Sequence, residues 1–232
     1  MSDSPILNLP EGLRFQAGPH VVALEPLALQ PGEWLAITPD AEAVVDAAAP
    51  PLARLLATLG QPLTGSVEIL GQPLHKLSYV ELQRLRPRIG FVPCRGGLLS
   101  NRTLGENVGM PLSVHAGLSA PDEASQLQQL LAAHDLTRVA ARRPDEVDGA
   151  TRFRACVARA LALEPAWLVI EGRGDFSHAG ALSWALLEAH RAKVPSALVA
   201  CLRAPDPPFE AWLAARGGRV LRYHLAPSHE EA

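Results

Sequence analysis

The carboxylate best placed for chemistry in this chain is Glu171, which closes the apolar run Trp167-Leu168-Val169-Ile170 and precedes Gly172. Four apolar residues without alternation predict a strand covered on both faces of a parallel sheet. Such a strand carries whatever follows it to the carboxyl edge of the sheet, where open α/β folds hold their ligands. Just upstream, Pro144 to Leu163 reads as a polar turn and then a helix. Asp148 is its N-cap, and Phe153, Cys156, Val157, Ala160, Leu161 and Leu163 fall largely on one face. Glu164-Pro165 ends that helix, because proline disfavours α geometry in the residue before it. Other chemistry is scarce. The chain has two lysines, Lys76 and Lys193, against nineteen arginines, so a role that demands lysine has two candidates. Cys94, Cys156 and Cys201 are far apart and no Cys/His metal spacing occurs, which predicts reduced thiols and no metal site. His134, at a helix end without partners, reads as structural. There is no HExxH, no GxSxG and no GxGxxG after a strand.

The elements that must position these groups follow from composition and pattern. The 232 residues, 48% hydrophobic and 19% charged, describe one substantial globular domain. A net charge of −3 argues against nucleic acid as a partner. No signal peptide and no membrane span is visible, so a cytoplasmic chain is expected. Short strands are predicted at Ile6–Leu9, His20–Leu24, Trp34–Thr38, Ser66–Leu70, Arg88–Pro93, Ser196–Cys201 and Arg219–Tyr223. Helices are predicted at Leu52–Leu59, from a Ser78–Glu81 capping box to Arg86, from Ser119 to near Asp135, at Ser177–His190 and at Pro208–Ala215. Residues from Ala226 on are expected to fray.

In this order the segments resemble the ATP-binding subunit of an ABC transporter over roughly residues 5–225. LALQPGEWLAI is similar to the strand entering the phosphate loop, and LTGSVEILGQPL to the strand and turn after the first helix. RIGFVP with GGLLSNRTLGENVGMPL resembles the Q-loop and the start of the helical subdomain. ARALALEPAWLVIE resembles the helix and strand joining the signature to Walker B. GENVGMPLSVHAGLS is similar to the Mla/Mce lipid-transport branch. The resemblance implies an α/β fold: a P-loop NTPase (RecA-like) core with an N-terminal β portion and an inserted helical subdomain. It divides a single domain, 1–232, into a core (1–100 and 151–225), a helical part (about 101–150) and a tail (226–232).

The same resemblance implies a nucleotide site whose positions have changed. A phosphate loop needs glycines, whose backbone N–H groups close round phosphates, and a lysine. Residues 33–59 contain neither; Asp40, Glu42 and Asp46 are repulsive there, and Arg54 is the only cation. Cys94 takes the Q-loop position. The signature reads Val147-Asp148-Gly149-Ala150-Thr151, with a charge at Asp148 and a Cβ at Ala150 where a phosphate must approach closely. Glu171 takes the magnesium-shell position, Gly172 the general-base position, His178 the D-loop position and Arg203 the switch position; Phe15 is the nearest match to an adenine-stacking aromatic. The resemblance therefore implies a degenerate, catalytically inactive subunit with no cofactor, ATP and magnesium entering only if a working ATPase with a non-standard site is present instead. The implied partners are an integral membrane permease and a second ABC-type chain or a copy of this one. Residues 94–100 (Cys94, Arg95, Gly96, Gly97, Leu98, Leu99, Ser100) form the docking surface, and the chain lies peripherally on the inner face of the cytoplasmic membrane. A free-standing scaffold is the third reading. On this view Glu171 is a remnant, Glu171→Gln leaves function nearly intact, and a charge at Val169 unfolds the domain.

Overall fold

A computed structural model describes residues 4–40, 49–93, 97–172, 180–223 and 225–227. The N-terminal part is antiparallel. It comprises β1 (Leu7–Leu9), β2 (Leu13–Ala17), β3 (His20–Leu24) and β4 (Leu27–Leu29). In β2, Leu13, Phe15 and Ala17 are buried while Arg14 and Gln16 face water, the period-two pattern of a strand with one covered side. Then come β5 (Trp34–Pro39), α1 (Ala49–Leu56), β6 (Thr64–Gly65), β7 (Glu68–Ile69), β8 (Gln72–Pro73), α2 (Tyr79–Leu85) and β9 (Ile89–Val92). The Ser78–Glu81 capping box forms as expected, satisfying otherwise unpaired N–H groups of α2.

A helical region follows: α3 (Leu104–His115), capped by a Thr103–Glu106 box, and α4 (Ala120–Ala133), whose N-cap is Ser119. The chain continues through α5 (Gly149–Leu161), β10 (Trp167–Gly172), α6 (Gly180–Lys193), β11 (Ala197–Leu202), α7 (Pro207–Ala214), β12 (Arg219–Tyr223) and β13 (Leu225–Pro227). The fraying expected from Ala226 is corrected at its start, because β13 pairs antiparallel with β3, Ala226 lying opposite Val21.

Among the described residues, β12-β5-β11-β10-β9 form a five-stranded sheet in which every pairing is parallel. Two antiparallel sheets, β4-β1-β7-β8 and β13-β3-β2-β6, accompany it. Alternate residues of the parallel strands enter two different cores. Trp167, Val169, Ala197, Val199, Leu35 and Ile37 pack with α1 and the antiparallel strands. Leu168, Ile170, Leu198, Ala200, Trp34 and Ala36 pack with α5, α6 and α7. Two covered faces are the reason these strands read as unbroken apolar runs.

Polar anchors tie helices to the sheet. The Trp167 indole N–H donates to the Leu56 carbonyl at 2.9 Å, joining β10 to α1. Gly90 lets β9 lie close to α5: a Cβ there would come within 2.6 Å of a Leu168 methyl and 2.8 Å of the Ala160 carbonyl. A third cluster is built by Leu104, Val108, Leu131 and Leu136 with Ala155 and Ala158 of α5. The helical region therefore joins the sheet through opposite faces of α5.

His134 and His190 are buried, and burial lowers the pKa of both below the ordinary histidine value, against weaker upward pulls from the Leu130 and Pro165 carbonyls. The folded state thus holds them neutral, while the unfolded chain takes up protons as pH falls through 6.5. Stability is expected to be flat above about pH 7 and to drop progressively below about pH 6.5, read as urea midpoints across that range. His134→Gln should flatten part of the slope; an unchanged slope in the variant would count against this assignment.

Candidate functional site

The carboxyl edge of the parallel sheet is where the ends of β5, β10 and β11 meet. Register sets Glu171 of β10 opposite Cys201 of β11, and Gly172 opposite Leu202. The next residue, Arg203, donates its backbone N–H to the Gly172 carbonyl at 3.1 Å. Its side chain turns back along the edge, and Nη2 meets Glu171 Oε1 at 2.7 Å, with the two side chains 9% and 8% exposed. The structure thus brings together three of the residues singled out from the sequence, Glu171, Gly172 and Arg203, and makes two of them a buried ion pair. That pairing corrects the reading of Glu171 as a remnant, since its carboxylate neutralises a cation that water does not reach. Beneath the pair, the Cys201 thiol is pushed far up by burial and, secondarily, by the charge of Glu171. The Cys156 thiol is pushed up to about 11 by burial.

Asp148 caps α5 as expected, Oδ1 accepting from the Thr151 N–H at 2.6 Å. That hydrogen bond is the main cause that holds its carboxyl below the usual aspartate range. The charge therefore persists at the helix start, where Gly149 is exposed and Ala150 half-buried. Gly149 and Arg152 share a small cavity of about 190 Å³ with Pro93 and Leu98, so the signature-like turn faces the segment that follows β9. Arg54 is exposed in the last turn of the eight-residue α1, away from its N-terminus. Phe15 is 1% exposed inside the first core, which corrects its place as a stacking surface: its ring offers no face to a base. Cys94, Arg95, Gly96 and His178 lie outside the described residues.

The described end of the expected docking loop is firmly held. Gly97 sits at φ +68°, its carbonyl accepting from the Arg159 guanidinium, and Leu98 packs against the second and third cores. Leu99 is bracketed by Asn107, whose Oδ1 accepts from the Leu99 N–H at 2.7 Å while Nδ2 donates to the Leu99 carbonyl at 3.1 Å. Asn107 is fully buried on α3 and was not singled out from the sequence, although a polar residue among Leu104, Val108 and Leu112 is a readable signal. Asn107→Leu removes these bonds and leaves the Leu99 groups unpaired, at an expected cost of about 1–3 kcal/mol. Urea unfolding measures the cost, and faster proteolysis between Pro93 and Thr103 reports the released loop. Next to this loop lies a groove of about 380 Å³ whose walls include Ile89, Phe91, Met110, Pro111 and Val114, with Arg86, His115 and Arg159 at the same groove.

With this geometry in view, comparison with known proteins identifies the architecture. The sequence pattern of the ABC transporter family matches residues 51–171. The methionine import ATP-binding protein MetN of Latilactobacillus sakei is 34% identical over 120 residues, 52% of this chain and 35% of that protein. MetN 2 of Pseudomonas aeruginosa is 30% identical over 157 residues, 67% of this chain and 46% of that protein. The chain thus spans roughly a third to a half of the length of these curated relatives. The dimeric structure of MJ0796, a bacterial ABC transporter cassette, superposes with a TM-score of 0.75 at 20% identity, covering 94% of each chain. CbiO1 of Clostridium perfringens, part of the CbiONQ complex, gives 0.70 at 15% identity, over 96% of this chain and 87% of that one. The fold is the P-loop NTPase cassette expected from the sequence.

These relatives overturn the expectation that no cofactor is involved. They are named for binding ATP, a state of MJ0796 with a TM-score of 0.68 at 22% identity (84% of this chain, 87% of that one) is bound to ADP and Pi, and the family uses nucleotide with magnesium. The described residues, however, do not fit a triphosphate and its metal in an ordinary way. Glu171 is covered by Arg203. The first described turn of α1 reads Ala49-Pro50-Pro51-Leu52, and its two prolines have no N–H to offer an anion. Among the described residues, no group of three or more His, Cys, Asp or Glu side chains is placed to hold a metal ion. The framework is nonetheless unambiguous, and the match over residues 51–171 makes this chain an ATP-binding domain of the ABC transporter family.

Proposed function

We propose that this chain is a catalytically degenerate ATP-binding-cassette subunit of a bacterial membrane transport complex, holding and regulating an integral membrane permease. The carrying observation is the closed Arg203–Glu171 pair at the sheet edge, supported by the charged Asp148 cap at the signature position. The erosion is placed in hydrolysis; nucleotide with magnesium is the ligand to which this family's sites are built. Residues 1–232 act as a single cassette, with the helical part near 101–150 and the core on either side. The degenerate site positions are Phe15, Arg54, Cys94, Asp148, Gly149, Ala150, Glu171, Gly172, His178 and Arg203.

The permease side is assigned to residues 94–100 and the adjoining apolar groove, whose Arg86, His115 and Arg159 favour an acidic docking segment. No helix among the described residues is long and apolar enough to cross a membrane, in keeping with peripheral attachment. The second cassette is a copy of this chain or a related one. For cargo we favour a lipid, from the likeness of GENVGMPLSVHAGLS to the Mla/Mce branch; methionine is the cargo named for the matched relatives.

The test is purification from native membranes followed by a phosphate-release assay on the complex. An integral membrane protein is expected to co-purify, and its identity separates lipid from methionine transport. Phosphate release is expected to stay at background when this chain supplies both cassettes. Steady turnover abolished by Glu171→Gln in a folded complex would establish the second reading, a working ATPase, which the ATP-binding relatives favour. Absence of any membrane partner would leave only the free-standing scaffold.

A further inference from the structure

The misfit between the sheet edge and a metal site has a specific cause, a cation already built into the chain. Glu171 and Arg203 come from adjacent parallel strands, and the backbone bond from Arg203 N–H to the Gly172 carbonyl fixes where the guanidinium starts. Its Nη2 lies 2.7 Å from Glu171 Oε1, within a pair that is almost wholly buried. A magnesium ion needs carboxylate oxygen at about 2.1 Å, in near-octahedral geometry. The guanidinium occupies that approach. A metal ion arriving there must displace the Arg203 guanidinium from Glu171 and would set two cations side by side in a buried place. Among the described residues, Cys201 of β11 lies opposite Glu171, and its soft sulfur is a poor ligand for a magnesium ion, which takes oxygen. Asp206 is committed elsewhere, its Oδ1 accepting from the Phe209 N–H at 3.1 Å to cap α7.

We propose that Arg203 sets the metal requirement of this site: its guanidinium holds the place at Glu171 that a divalent cation would take, so the carboxylate admits no metal while the pair is closed. This deepens the reading of the chain as a degenerate cassette and rests on it for the identity of the site. Arg203 is thus a positioning residue, acting through Glu171.

The probe is Mn²⁺ alone, titrated into the full chain in metal-free buffer and followed by water-proton relaxation, with thermal melts alongside. The parent protein is expected to show no Glu171-dependent Mn²⁺ site, and its melting temperature should not rise beyond that in KCl of equal ionic strength. Arg203→Gln should bind Mn²⁺ at least about tenfold more tightly than the parent, since a unit charge next to the carboxylate is gone. The gain should vanish in Arg203→Gln/Glu171→Gln. If Arg203→Gln is unfolded without metal, recovery of its native circular dichroism on adding Mn²⁺ reads the same site, and failure to recover overturns the proposal. Equal Mn²⁺ affinity in parent and Arg203→Gln overturns it too. Because neither nucleotide nor membrane protein enters this experiment, a failed search for a permease leaves its result standing, and the reverse also holds.

Discussion

Val169→Asp is expected to leave no folded protein. Val169 lies in the middle of β10, is fully buried, and is paired to Phe91 of β9 on one side and Val199 of β11 on the other. It faces the core shared with Trp167, Val199 and Ile37. Its neighbours in that cluster are apolar side chains of both the sheet and α1, so a carboxylate there would be buried against hydrocarbon. The cost of an unpaired buried charge reaches at least about 5 kcal/mol, comparable to the whole stability of a domain, about 5–15 kcal/mol. The variant should be insoluble or lack near-ultraviolet circular dichroism, whereas Val169→Ala should fold with a loss of about 2–3 kcal/mol. A native spectrum and a normal urea midpoint for Val169→Asp would show that the strand is not central.

The second large effect concerns Glu171→Gln, for which the sequence alone predicts almost nothing. The structure adds an expected loss of stability, a readout separate from function. Removing the carboxylate charge leaves Arg203 buried against a neutral amide, and breaking one side of a buried pair typically costs about 3–5 kcal/mol. Replacing both partners by apolar residues of similar volume, as in Glu171→Leu/Arg203→Met, should recover part of the loss, because neither member of the pair is then charged. Urea midpoints of the two single variants and the double variant form the cycle that measures the coupling. A Glu171→Gln midpoint equal to the parent's would mean that the pair contributes nothing.

What the sequence makes legible here follows from how local each signal is. Ser78, Ser119 and Asp148 are readable as helix starts because a cap needs only its own next three residues. The run Trp167–Ile170 is readable because two covered faces remove alternation. β2 was missed although Leu13-Arg14-Phe15-Gln16-Ala17 alternates throughout, for it follows directly on a Pro10 to Gly12 turn that masks its start. β7 falls within the strand expected at Ser66–Leu70, whereas β6 and β8 have two residues each and exist only through their partners, so no local pattern could announce them. The Glu171–Arg203 pair is hidden for the same reason: its members are thirty-two residues apart, and only the register of β10 on β11 brings them together. The site positions were thus legible one by one, but not the bond between them.

The double use of α5 has a dynamic consequence. Cys156, Val157 and Leu161 belong to the sheet's second core, while Ala155 and Ala158 seal the small cluster beneath α3 and α4. Leu131 of α4 is buried, with Leu127 and Leu130 partly so, and that helix rests on this one small cluster. Opening of α4 costs its own cluster and leaves the five-stranded sheet intact. Amide exchange should accordingly separate into two tiers, with α4 exchanging through low-energy local openings and β10 and β11 only through global unfolding. Between the tiers stands α5, the one helix whose protection should differ from face to face, and through which motion of the helical region can reach the strand that ends in Glu171.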